Sequence, residues 1–178
     1  MQKHKKIFMP VYNEIDYDGR VLRAAECLSE KHSVTVFSVN SHNGYINPNF
    51  SLRTVSLSWF SSRGMLRWAY YSLLLLITAL RTRPDIVYAH DYFPVYSARL
   101  AAALTGALLV YDAHELNIPQ EGVTLGRRNR FFYRLEKRCL PRAALVIAAS
   151  PERAELMCQH YGLAETPLAI NNITPAPK

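Results

Sequence analysis

Short apolar runs alternate with segments of helical period along nearly the whole chain. The apolar runs predict strands over residues 6–11, 34–39, 52–57, 85–89, 107–111, 143–149 and 168–170. Apolar residues at three- and four-residue steps predict helices over 19–31, 63–81, 94–105, 126–140 and 151–161. The helix over 63–81 is apolar nearly all round and is therefore predicted to be buried. Because strands separated by helices form parallel sheets with helices on both faces, we expect an α/β fold with a doubly wound, mostly parallel, Rossmann-like sheet.

The composition is that of an ordinary globular domain and excludes several other classes. Of the 178 residues, 49% are hydrophobic and 20% are charged, which supplies a core and excludes a disordered or fibrous protein. The three cysteines, Cys27, Cys139 and Cys158, form no paired motif, so a reducing cytoplasm is expected rather than a disulfide framework. No signal peptide is recognised, and the longest apolar stretch, residues 68–80, is shorter than the ~20 residues that cross a bilayer.

The net charge of +7 is concentrated in one predicted helix and in the basic N-terminus. Residues 126–142 hold seven basic residues against a single acid, Glu136. Five of these cations recur at three- and four-residue steps: Arg127, Arg130, Arg134, Lys137 and Arg138. Such a stripe is typical of a solvated surface helix, or of contact with anionic lipid head groups or a phosphorylated acceptor. Nucleic acid is disfavoured as a partner because no nucleic-acid-binding motif accompanies the charge.

Polar residues follow five of the predicted strands. In a doubly wound sheet ligands bind outside the carboxyl ends of the strands, so these residues predict a binding cleft at that edge. The candidate substrate-binding residues are Asn13, Asp18, Gly19, Arg20, His90, Asp91, Glu115, Ser150 and Asn171, with His114 as the candidate catalytic residue. Either histidine can instead be a hydrogen-bonded structural residue, and Asp112 can orient the ring of His114 or cap the next turn.

Several familiar site motifs are absent from the sequence. Neither the glycine-rich nicotinamide fingerprint, nor the P-loop, nor the serine-hydrolase elbow occurs. Residues of metal-ligand type gather after two strands, but their spacing matches no closed zinc signature, and we expect no metal. These residues are His90, Asp91, Asp112, His114 and Glu115.

Several segments, taken in order and spacing, resemble family 4 glycosyltransferases. They are residues 18–28, 33–36, 83–91, 110–116, 144–150 and 167–172. The resemblance implies one half of a GT-B architecture, in which two Rossmann-like domains face each other across a cleft. Residues 1–173 would then be the N-terminal, acceptor-side domain and 174–178 the start of an interdomain linker. The family's C-terminal, donor-binding domain carries a Glu-x7-Glu motif, and nothing in this chain resembles it.

The resemblance also implies an activity. It implies transfer of a sugar from a nucleotide-sugar donor to an acceptor, with retention and without a metal, by a cytoplasmic enzyme, and the isolated chain would be an inactive half-site. The cationic stripe would suit a location at the inner face of the membrane and a lipid-linked or cell-surface glycan as acceptor, as in polysaccharide biosynthesis. A related epimerase with carboxylate acid–base chemistry and a non-catalytic binding module are the alternatives.

Residue roles follow from the same resemblance. His114 matches a family histidine near the donor sugar and the reacting centre. Asp18, Gly19 and Arg20 match the first loop, close to donor phosphates or acceptor, where Arg20 would pair with a phosphate oxygen. Two segments depart from the family pattern. Residues 10–13 replace a Gly-Gly pair, and Asn171-Asn172 replaces Asn-Gly.

Overall fold

The computed structural model describes residues 3–40, 49–58, 64–119 and 125–171. Within them lies one parallel sheet whose strands, in spatial order, run β3-β2-β1-β4-β5-β6-β7. The strands are β1 (Lys6–Pro10), β2 (Ser33–Val39), β3 (Ser51–Val55), β4 (Ile86–His90), β5 (Leu108–Ala113), β6 (Leu145–Ala148) and β7 (Leu168–Ala169). The order reverses beside β1, where Ile7 pairs with Val34 of β2 on one side and Ile86 of β4 on the other. The doubly wound sheet is thereby confirmed.

Five α-helices connect these strands in the described part of the chain. They are α1 (Gly19–Ser29), α2 (Met65–Thr82), α3 (Val95–Thr105), α4 (Arg127–Cys139) and α5 (Pro151–Tyr161). Short 3-10 turns over Ile15–Tyr17 and Leu140–Arg142 were not expected from the sequence. Gly106 and Gly162 end α3 and α5 with φ of 72° and 65°, a conformation that glycine adopts without strain. Asn172, the predicted linker at 174–178 and the predicted start of α2 at residue 63 lie outside the described residues.

The two faces of the sheet are covered unequally. On one face α1 packs Val21 and Ala25 against Ile7 and Met9 of β1. On the other face, α2, α3, α4 and α5 form the main core. Beyond α1, the first face holds a groove of about 480 Å³ over β4–β7, which we call the sheet groove. Its apolar lining is Ile7, Ala24, Leu28, Ile86, Val110, Leu145, Ile147, Leu168 and Ile170.

The prediction that α2 is buried nearly all round is wrong. Tyr71, Leu75 and Ala79 face the sheet and are fully buried, and the Tyr71 hydroxyl donates to the carbonyl oxygens of Val11 and Phe37 at 3.0 and 3.2 Å. The opposite side of the helix lies in solvent because no other described element packs over it. No helix in the described residues is both long and apolar enough to cross a membrane.

Candidate functional site

The site begins where the strand order reverses, at the carboxyl ends of β1, β4 and β5. Val11 bridges to His90, which brings the loop after β1 against the end of β4. The next residue, Asp91, has φ of 67° and donates its N–H to the Asp112 carbonyl of β5 at 2.9 Å. A left-handed backbone is costly for a residue with a Cβ, and such strain is concentrated at functional sites.

Two histidines from neighbouring strands meet at this point. His90 Nδ1 lies 3.2 Å from His114 Nε2, so one nitrogen donates a proton and the other accepts it. The His90 ring is fully buried and stacks on Tyr88, with centroids 4.4 Å apart, whereas His114 is half-buried and opens to solvent. His90 therefore supports His114 from below, and only His114 can reach a ligand.

Burial keeps both rings in the neutral form. It lowers the pKa of His90 well below its usual value, and the adjacent His114 and Arg20 act in the same direction. Burial also lowers the pKa of His114, although Asp112 and Asp18 oppose the shift. A neutral imidazole has one donor and one acceptor nitrogen. The contact with His90 uses Nε2 of His114, and Nδ1 of His114 takes no part in it.

Arg20 and Asp112 form an ion pair beneath the histidines. The guanidinium donates to both carboxylate oxygens, at 3.1 Å from Nε and 2.6 Å from Nη2, and its Nη1 donates to the Ile170 carbonyl at 3.0 Å. The Tyr88 hydroxyl donates to the same carboxylate at 3.2 Å. The arrangement ties α1 to β5 and to the residue after β7. Asp112 Oδ2 lies 3.9 Å from His114 Nε2, beyond hydrogen-bonding distance, so Asp112 does not orient that ring directly.

Asp18 links the first loop to the histidines. Its carboxylate accepts the N–H of Val21 at 3.2 Å and so caps the N-terminus of α1. The other oxygen lies 3.7 Å from His114 Nδ1. Arg153 of α5 fixes the backbone that follows β5 by donating to the His114 carbonyl at 2.9 Å. The side chain of His114 thus lies between His90 at the end of β4 and Asp18 of the first loop.

Two cavities adjoin at His114. The smaller, of about 270 Å³, is lined by Tyr17, Asp18, Gly19, Arg20, Arg23, His114 and Ala149. The larger cavity measures about 570 Å³. Its polar lining includes Asn13, Glu14, Asp18, Asp91, His114 and Glu115, and its aromatic lining includes Tyr12, Trp68, Tyr92, Phe93 and Phe132. Aromatic faces beside carboxylates and amides are suited to a ligand with both C–H faces and hydroxyl groups.

The carboxyl of Asp91 is the most perturbed acid of the larger cavity. Burial and the neighbouring charge of Glu115 raise its pKa to about 7. Its Oδ1 is buried without a hydrogen-bond partner among the described residues. A cleft carboxyl that titrates near neutrality is a candidate for proton transfer.

The structure brings most of the predicted site residues together. Asn13, Asp18, Gly19, Arg20, Asp91, His114 and Glu115 line one or both cavities. His90 lies beneath them. Ser150 instead caps α5, accepting the Arg153 N–H at 3.3 Å, and Asn171 lines the sheet groove on the far face. The functional roles proposed for all of these residues stay predictions.

The predicted cationic stripe lies on the outer side of α4. All five of its side chains, Arg127, Arg130, Arg134, Lys137 and Arg138, are exposed. Phe131 of the same helix is 37% exposed and contacts Trp68 of α2, with ring centroids 5.8 Å apart.

One group of atoms has the dimensions of a metal site. Ligand atoms of His90, Asp112 and His114 all lie within 4.8 Å of one another. Asp112, however, is already neutralised by Arg20, and a divalent cation would have to compete with that guanidinium. The absence of a metal cofactor therefore stays an expectation.

Glu136, the single acid of the basic segment 126–142, is buried in the fold. It is 1% exposed and accepts hydrogen bonds from the hydroxyls of Tyr111 and Tyr161, the latter at 2.7 Å. Burial raises its pKa to about 8. Its spacing of four residues after Phe132 and three before Cys139 puts it on the buried side of the helix, which was the available signal in the sequence.

The parallel sheet with its site at the order reversal defines a Rossmann-like domain of the class that builds GT-B glycosyltransferases. The chain belongs to Glycosyltransferase Family 4, whose model matches residues 20–171. The family expected from the sequence is thus confirmed, and the chain is a glycosyltransferase domain. No curated protein matches the chain significantly.

Three solved structures illustrate the likeness in fold. HepE of Anabaena, in complex with UDP and glucose, has a TM-score of 0.63 and 22% identity over 96% of this chain and 45% of its own. Sucrose-phosphate synthase of Thermosynechococcus elongatus has a TM-score of 0.68 and 13% identity over 93% of this chain and 47% of its own. UGT89C1 of Arabidopsis thaliana has a TM-score of 0.66 and 15% identity over 99% of this chain and 52% of its own. This chain spans about half the length of each.

Proposed function

We propose that this chain is the acceptor-side domain of a glycosyltransferase that moves a sugar from a nucleotide-sugar donor to a glycan acceptor. The observation that carries the proposal is the position of His114, which lines both cavities at the strand-order reversal. A sugar transferred between two ligands must pass through a point that both can reach. Related folds hold UDP with glucose and UDP-glucose, which supports a nucleotide-sugar donor.

The smaller cavity suits the donor's phosphates. The positive end of α1 lies there, with Gly19 and Arg20 at the start of the helix and Arg23 one turn on. Helix N-termini and arginines attract phosphate oxygens. Arg20 is already paired with Asp112, so its role toward the donor is to fix the end of α1.

The larger cavity suits the acceptor. Its aromatic wall can stack on a sugar ring, and its carboxylates can accept hydrogen bonds from sugar hydroxyls. Among these carboxyls Asp91 has the pKa closest to neutral pH, at about 7. In this proposal it is the group that receives a proton from an acceptor hydroxyl. His114 then donates a hydrogen bond to the transferring sugar, where charge develops in the transition state.

The remaining features of the proposal follow the family resemblance. Transfer proceeds with retention and without a metal. A C-terminal domain with a Glu-x7-Glu motif holds the nucleotide, beyond a linker that begins after residue 173. The enzyme acts in the cytoplasm at the inner face of the membrane, on a lipid-linked or cell-surface glycan, in polysaccharide biosynthesis. The exposed arginines of α4 support a peripheral membrane location.

The test is sugar transfer by the complete two-domain enzyme, screened against nucleotide-sugar donors. We expect His114→Ala to lower kcat/KM by about 10²–10³-fold, because one transition-state hydrogen bond is lost, while thermal unfolding shows that the variant is still folded. His160→Ala, on α5 outside both cavities, is the matched control. Full turnover by His114→Ala would refute its role, and donor epimerisation without transfer would favour the related epimerase instead.

A further inference from the structure

An apolar stripe runs along the solvent side of α2. Leu66, Tyr70, Leu73 and Leu80 are 75%, 40%, 55% and 46% exposed, and half-buried Ile77 completes the row. Their spacing of three and four residues puts all five on one side of the helix. Water-soluble proteins rarely leave such a contiguous apolar row in solvent unless it meets a partner.

The neighbouring helices extend this surface and add positive charge. Because α2, α3 and α4 pack on the same face of the sheet, their outer sides point the same way. Leu104 of α3 is 63% exposed, and α4 presents its row of arginines. The outer sides of these three helices are referred to below as the helical face.

No exposed acid lies on the helical face. The sequences of α2, α3 and α4 contain one acidic residue, Glu136, and that residue is 1% exposed. On the next helix along this face of the sheet, α5, Glu152 and Glu155 are exposed. The helical face therefore combines exposed leucines with unopposed cations.

The helical face adjoins the larger cavity. The N-terminal ends of α2 and α4 are joined by Trp68, whose ring meets those of Phe131 and Phe132 edge-on at 5.8 and 5.6 Å. From the same ends Met65, Trp68 and Arg128 line the larger cavity. A molecule held on the helical face therefore lies beside the mouth of the cavity.

We propose that the helical face docks on an anionic phospholipid bilayer, with the α2 leucines in the acyl boundary and the α4 cations among the head groups. The charge pattern selects this partner. Arginines attract phosphate head groups, aromatic side chains favour the interface, and the absence of exposed acids removes repulsion. Docking in this orientation presents the larger cavity to a lipid-linked acceptor, a step that rests on the proposed function.

Vesicle flotation of the 178-residue chain tests the docking surface. The wild type should float with vesicles that contain phosphatidylglycerol and not with phosphatidylcholine alone. Reversing charge with Arg130→Glu and Arg134→Glu should weaken that binding by at least about tenfold, since each change replaces attraction to the head groups by repulsion. Leu66→Ser with Leu73→Ser should weaken it by about the same factor and abolish binding at high salt, where only the apolar contribution persists.

Matched control variants distinguish binding through the helical face from binding through net charge or through exposed apolar side chains elsewhere on the chain. Lys3→Glu with Lys31→Glu makes the same change in net charge away from the helical face, and Leu156→Ser removes an exposed leucine from α5. Both should bind vesicles within about twofold of wild type. Thermal unfolding confirms that every variant is folded.

Three results would overturn the proposal. They are no flotation of the wild type, equal losses in the matched controls, or unchanged binding of the Leu66→Ser, Leu73→Ser pair. The assay uses neither donor nor acceptor, so its failure leaves the proposed transfer activity standing. Failure of sugar transfer on a water-soluble acceptor would conversely leave the docking surface intact.

Discussion

Burial, more than pairing, sets the charge of the ionisable side chains inside this domain. His90 and His114 are held neutral, and the carboxyls of Asp91 and Glu136 are shifted toward the protonated form. Asp112 differs because Arg20 neutralises it directly. Residues of similar type in the sequence thus have different charges in the fold, and this difference determines which of them can act on a ligand.

Glu136 makes stability depend on pH in the direction opposite to a paired carboxylate. Its folded pKa of about 8 exceeds the ordinary value of 4.5, so its contribution is complete below pH 4.5 and is lost as pH rises through 8. We expect Glu136→Gln to gain stability relative to wild type by up to roughly 4 kcal/mol between pH 5 and pH 8. Urea unfolding of both proteins at the two pH values measures this, and a constant difference would contradict it.

At the scale of elements, the alternation of apolar runs was enough to predict the seven strands and five helices, because each buried strand needs an unbroken apolar run. It could not predict which side of α2 faces the sheet, since a helix apolar nearly all round has no periodic signal for orientation.

The candidate site was predictable only in part. The rule that ligands bind at the carboxyl ends of strands correctly brought Asp18, Asp91, His114 and Glu115 to one place. The rule fails for Asn171 because the chain after β7 turns toward the other face, where Arg20 holds the Ile170 carbonyl. The aromatic wall was missed because Trp68 and Phe132 lie on helices far apart in sequence and meet only in the fold.

The Arg20–Asp112 pair is the main polar tie between α1 and the sheet. Both side chains are nearly buried, at 9% and 3% exposure, so removing one leaves an uncompensated buried charge. We expect Arg20→Ala to lower the free energy of unfolding by about 3–5 kcal/mol, and Arg20→Lys to lower it less because lysine keeps the charge but loses the bidentate geometry.

A double-mutant cycle with Asp112→Asn distinguishes this pairing from simple loss of packing. In the Asp112→Asn background position 112 carries no charge, so Arg20→Ala leaves no unpaired carboxylate there and should cost at least about 1–2 kcal/mol less than in wild type. Chemical denaturation of the four proteins gives the coupling. An identical cost in both backgrounds would show that Arg20 acts through its aliphatic stem alone.

Over the whole molecule, the clustered carboxylates and the exposed cationic and apolar side chains lie on different sides. The carboxyl edge of the sheet gathers the carboxylates around His114, whereas the outer sides of α2, α3 and α4 are cationic and apolar. A negatively charged bilayer would attract one surface and repel the other. If the helical face docks on a bilayer as proposed, this separation orients the domain with its cavity beside the bilayer rather than against it.

The sheet groove gives the molecule a second apolar surface, on the side opposite to the helical face. Parallel sheets are ordinarily covered on both faces, yet Leu168 and Ile170 at the edge of this groove are 50% and 46% exposed. We expect the uncharged dye Nile red to bind the chain there, and Leu168→Ser with Ile170→Ser to remove about half of its fluorescence or more. Because both side chains lie largely in solvent, the pair should change the free energy of unfolding by no more than about 1 kcal/mol.

Leu66→Ser with Leu73→Ser measures the share of dye bound at α2. If the groove variant kept full fluorescence while the α2 variant lost it, the groove would be too shallow to hold an apolar ligand, and the helical face would be the main apolar surface of the domain.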